Sequence, residues 1–139
     1  MDTVIVIMQK NKKTGLFEKE LQTLNIYKYD QFILNIYALE RENNKIYLNL
    51  KLTTDKDVLD WEYNAIYDYY DMDIFKELGY EIIECDEEYN PTWEISFEYI
   101  DNNQEITNIV NNILEIHNKE LTEVFNIIVD KEGEYKNEE

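Results

Sequence analysis

Six residue types on which many active sites and small binding modules depend are nearly missing from this chain. It has one histidine, one serine, one cysteine, one proline, one arginine and three glycines. The lone Cys85 permits no intramolecular disulfide, so nothing points to an oxidising compartment. Structural zinc is unsupported for the same reason, because such sites need clustered cysteine and histidine. A hydrolytic triad needs a nucleophile and a base that converge at an exposed turn. Here Ser96 falls inside a regular strand pattern and His117 falls in the apolar stripe of a helix pattern. A Cys85–His117 dyad is disfavoured because Glu84 and Asp86 flank the thiol, and neighbouring carboxylates raise its pKa. Cys85 and His117 therefore read as a small buried thiol and a hydrogen-bonded core imidazole.

Gly15, Gly79 and Gly133 are scattered, so there is no glycine-rich loop to cradle a phosphate. Arg41 alone offers little for bidentate phosphate recognition. With Pro91 the only proline and no polar linker, residues 1–130 read as one domain, followed by a frayed acidic tail over 131–139. The opening MDTVIVIMQK has no basic region before its apolar stretch and no small-residue cleavage site, so no signal peptide is expected. No apolar run approaches the length of a membrane span. The expected location is the cytoplasm. The scarcity of arginine, glycine and alanine beside plentiful lysine, asparagine and isoleucine fits a bacterial or phage gene of high AT content.

What is present is apolar, tyrosine-rich and acidic. Hydrophobic residues make up 44% of 139, and 12 tyrosines dominate the aromatics. This is enough to bury a core without metal or disulfide support. The net charge of −18 argues against direct contact with nucleic acid or an anionic membrane. Its distribution is uneven. Residues 1–52 carry eight basic and six acidic side chains, whereas residues 53–139 carry five basic and twenty-five acidic.

Alternation and turn signals predict four consecutive antiparallel strands, over Thr3–Lys10, Leu16–Ile26, Phe32–Glu40 and Lys45–Leu52. The third, apolar on both faces, should lie centrally. Thr54 is placed as the cap of a helix over residues 55–70, with Leu59, Tyr63, Ile66 and Tyr70 on its core face. A short helix through Ile74–Leu78 ends at Gly79, and strands follow over Tyr80–Cys85 and Thr92–Ile100. In the last of these Trp93, Ile95, Phe97 and Tyr99 face in, while Glu94, Ser96 and Glu98 face out. A final helix over 104–129 carries a broad stripe through Ile106, Val110, Ile113, His117, Leu121, Val124 and Ile128. The expected fold is α+β, an antiparallel sheet of about six strands against two or three helices, in the order ββββ-αα-ββ-α.

One surface feature stands out. Asp57, Asp60, Asp68 and Asp71 recur along one face of the first predicted helix, with Trp61 beside them and no lysine between residues 57 and 75. Repeated carboxylates on one face destabilise a helix slightly, so a purely solvated face would more often mix in lysine. With Glu94 and Glu98 these residues form a candidate surface for a basic protein partner. By charge and size alone, the analogy is with inhibitors, immunity proteins and nucleic-acid mimics that occupy basic grooves. No enzymatic activity and no cofactor are expected on this reading. Two alternatives come from other classes. One is a divalent-metal site at Asp68, Asp71 and Asp73, where Asp71-Met72-Asp73 is similar to the metal-binding pair of some nucleotide-sugar enzymes. The other is a homodimeric scaffold that uses surplus apolar surface on the 104–129 helix.

Overall fold

A computed structural model of the chain describes residues 2–136. Ten elements follow in order: β1 (Thr3–Lys10), β2 (Phe17–Ile26), β3 (Ile33–Glu40), β4 (Ile46–Thr53), α1 (Asp60–Tyr69), α2 (Asp73–Glu77), β5 (Glu81–Glu84), β6 (Thr92–Glu98), α3 (Asn103–Ile128) and α4 (Glu132–Lys136). The strands form one six-stranded sheet in the order β2-β1-β3-β4-β6-β5, with the helices on one face. The architecture is the α+β layer pair that the sequence predicts.

The hairpins β1–β2 and β3–β4 form as expected. In the first turn the Asn11 side chain accepts hydrogen bonds from the Lys13 and Thr14 amides, and Gly15 adopts φ 73°. The expectation of four successive antiparallel neighbours is corrected, because β1 and β3 run parallel where they meet, Gln9 beside Ala38 and Lys10 beside Leu39. β2 therefore lies at the sheet edge. Its exposed Glu18, Lys19 and Glu20 suit an edge strand, where charge discourages pairing with other chains. The chain returns to the sheet centre through a 3-10 turn at Asp30–Phe32, which buries Phe32 in the core.

Alternation then places side chains as expected. Leu48, Leu50 and Leu52 of β4 and Trp93, Ile95 and Phe97 of β6 face the helices and are buried. α3 is capped by Asn102, whose side chain accepts from the Glu105 amide at 3.1 Å. Every residue of its predicted stripe, from Ile106 to Ile128, is buried. The stripe is thus part of the protein's own core; of the apolar residues that widen it, Ile109, Ile116 and Phe125 are half-buried and Ile127 is exposed.

The first helix differs most from expectation. It begins at Asp60, not Asp55. Thr54 is no cap, since its hydroxyl donates to the Lys56 carbonyl. Residues 55–59 are irregular. The cap position falls to Leu59, whose amide donates to the Glu62 carboxylate at 2.9 Å. The buried face is Trp61, Ala65 and Ile66, leading to Tyr70, whereas Leu59 is 60% exposed and Tyr63 only half-buried. The tail expected to fray from residue 131 instead forms α4, which packs on α1, while residues 137–139 of that tail lie outside the described residues. No helix among the described residues is long and apolar enough to cross a membrane.

Candidate functional site

The segment that leads into α1 and the β5–β6 turn, both acidic, are bound to each other. Asn90 joins them. Its side-chain amide donates to Asp57 at 3.0 Å and its oxygen accepts from the Val58 amide at 3.1 Å. The Tyr63 hydroxyl reaches the carbonyls of Asp86 and Glu88. These bonds tie the segment leading into α1 to the β5–β6 turn, and Asp57, Asp60, Asp86 and Glu87 of these two segments are all exposed. None of the four takes part in an ion pair among the described residues. Two cations of this region are engaged by other groups: Lys51 pairs with Glu88, and Lys56 lies over the Phe125 ring, 4.4 Å from its centroid. Two exposed apolar side chains adjoin the carboxylates, Leu59 and Tyr89, the latter 80% exposed.

Other predicted members of the surface are placed differently. Trp61 is only 6% exposed and lies under Tyr135 of α4, so it is part of the core and not an aromatic on the acidic face. Asp68 is exposed and accepts a 2.7 Å hydrogen bond from the Tyr135 hydroxyl. Asp71 uses one carboxylate oxygen to accept from the Asp73 amide at 3.0 Å, closing the turn into α2. Glu94 and Glu98 do not join the α1 carboxylates at all. They alternate with Trp93, Ile95 and Phe97, which face the helices, and so point to the opposite side of the sheet.

On that opposite face many polar groups are paired with one another. The Tyr37 hydroxyl donates to Glu94 at 2.8 Å, and burial together with this carboxylate pushes the phenol pKa up. Ser96 donates to Asn49 at 2.8 Å. Arg41 stacks over Tyr47, 3.6 Å from its ring centroid, and forms a two-pronged pair with Glu81 at 2.7 and 3.1 Å. Lys45 pairs with Glu98.

Of the residues of possible chemistry, His117 and Glu120 are held in hydrogen bonds. His117 is wholly buried. Its Nδ1 accepts from the Tyr70 hydroxyl at 2.8 Å, and its Nε2–H donates to the Thr53 carbonyl at 2.9 Å. Burial lowers its pKa to about 4, so the neutral ring is the stable form. Both ring nitrogens are occupied, which leaves none for Cys85. The Cys85 thiol pKa is raised, first by burial and then by Glu94. Glu120, one helical turn from His117, is 7% exposed and accepts from the Asp71 amide at 2.9 Å; burial raises its pKa. Asp68, Asp71 and Asp73 serve separate partners, Tyr135, the Asp73 amide and Lys76. No three His, Cys, Asp or Glu side chains among the described residues converge to hold a metal ion.

Sequence reasoning missed Tyr135, Tyr89 and Glu120 as participants. Tyr135 sits in a segment too short for periodicity to register, and Glu120 looked like one solvated acid among many. Nothing in the chain marks either.

The family model described as "Family of unknown function (DUF6762)" matches residues 1–136, and the chain belongs to that family. No curated protein and no solved structure matches the chain.

Proposed function

Starting from membership of a family with no described activity, we propose that this protein is a non-enzymatic, cytoplasmic interaction protein. It captures a basic protein partner through the end built by α1 and the β5–β6 turn. The observation that carries this reading is the set Asp57, Asp60, Asp86 and Glu87: carried on two segments hydrogen-bonded to each other, exposed, outside every ion pair among the described residues, and bordered by exposed Leu59 and Tyr89. Carboxylates held this way raise the local concentration of a cationic partner and speed its encounter. The apolar rim supplies contact area that exposed charge alone does not. Glu94 and Glu98 lie outside this surface, and Trp61 supports it from beneath. An inhibitor or immunity protein for a nucleic-acid-binding enzyme is the role that such a surface suits.

The reading is tested by affinity capture from the native host over a salt gradient. A basic partner retained at low salt and released as the Debye length shrinks supports it. A partner retained equally at high salt contradicts it.

A further inference from the structure

The five-residue helix α4 packs on α1, where Tyr135 makes an aromatic contact and a hydrogen bond, and Lys131 just before it lies over the Tyr69 ring. The Tyr135 ring lies against Trp61, with centroids 6.4 Å apart and planes tilted by 36°, and its hydroxyl donates to Asp68. Two observations mark this contact as imperfect. The Trp61 indole N–H is buried and has no hydrogen-bond partner among the described residues, and an unpaired buried donor is costly. In addition, α4 brings acid to acid. Residues 130–136 carry Asp130, Glu132 and Glu134 against Lys131 and Lys136, so the segment has the same sign of charge as the helix it packs on, which exposes Asp60 and Asp68. Beside Trp61 a cleft of about 230 Å³ opens between Leu59, Asp60 and Lys136.

We infer that residues 130–136 are a displaceable strap that masks an extension of the acidic surface, and that the natural occupant of the masked site is a segment of the partner carrying an aromatic residue flanked by cations. This rests on the acidic-surface reading above. The strap shows the chemistry of the occupant. An incoming tyrosine would repeat the stacking on Trp61 and the hydrogen bond to Asp68, while its lysine or arginine neighbours would meet Asp60 and Asp68 with attraction in place of repulsion. A backbone carbonyl of an extended segment would supply the acceptor that the indole N–H lacks.

The test uses the full chain and two variants, Tyr135→Ala and Tyr135→Phe. The probes are two capped peptides, Lys-Lys-Tyr-Lys-Lys and Lys-Lys-Ser-Lys-Lys. Thermal unfolding first establishes that each variant is folded. Acrylamide quenching then reports Trp61, because Trp93 is fully buried against Tyr70 and His117 and makes no ring contact with Tyr135. Tyr135→Ala is expected to raise quenching and to bind the tyrosine peptide about tenfold more tightly than the natural chain, with Tyr135→Phe between them. The serine peptide should bind all three alike. Unchanged quenching, or equal affinity of all three proteins for the tyrosine peptide, would overturn the strap and leave the acidic surface standing. Failure of both peptides to bind any of the proteins would overturn both.

Discussion

The Tyr70 hydroxyl donates to His117 Nδ1 at 2.8 Å inside the core, and through it the end of α1 is tied to the middle of α3. The opposite ring nitrogen ties α3 to the last residue of β4, Thr53. One imidazole thus joins three elements. Trp93 packs edge-on against it, with ring centroids 5.5 Å apart, and stacks on Tyr70 at 4.0 Å.

His117 should therefore titrate near pH 4 and hold its proton on Nε2 at pH 6. As the only histidine in the chain, it gives one set of imidazole signals in nitrogen-detected NMR. The unfolded ring, near 6.5, binds a proton more readily than the folded one, so its contribution to stability is complete above pH 6.5 and is lost as pH falls from there to about 4. The loss amounts to about 3 kcal/mol. A midpoint near 6.5 in the folded protein would contradict the burial.

Glu120 predicts the opposite sign. Burial raises its folded pKa, so the ionised form costs stability above that value and the cost falls as the group takes up a proton. Glu120→Gln keeps an acceptor for the Asp71 amide without the charge, and should match or exceed the natural chain in urea unfolding at pH 7. Glu120→Ala removes the acceptor and should lose about 1–3 kcal/mol. Equal losses in the two variants would refute this role.

Asn102→Ala removes the side-chain acceptor at the start of α3 and should cost about 1 kcal/mol, read from the urea midpoint. Tyr37→Phe removes the hydrogen bond to Glu94 on the open sheet face. It should cost about 1–2 kcal/mol while leaving partner capture unchanged, since that face is not the proposed surface.

These residues also show what was legible in the sequence. The α3 stripe was readable because a period of 3.6 sustained over 26 residues leaves one solution, and each predicted member is buried. The alternation of β6 was readable for the same kind of reason. The register of α1 was not, because Asn90 clamps Asp57 and Val58 from more than thirty residues away and delays the helix to Asp60. That shift turns Trp61 inward and Leu59 outward. The separation of Glu94 and Glu98 from the helical carboxylates follows from which sheet face the helices cover, a fact of tertiary packing. The parallel meeting of β1 and β3 is likewise set by the 27–32 connection, not by any local pattern.

The central claim is that binding resides at the α1 and β5–β6 end. The direct measurement compares two charge-reversed proteins in capture of the same basic partner: Asp60→Lys with Glu87→Lys at that end, and Glu98→Lys alone on the opposite sheet face. The account predicts that the first loses capture and the second keeps it. Capture retained by the first, or lost only in the second, would contradict it.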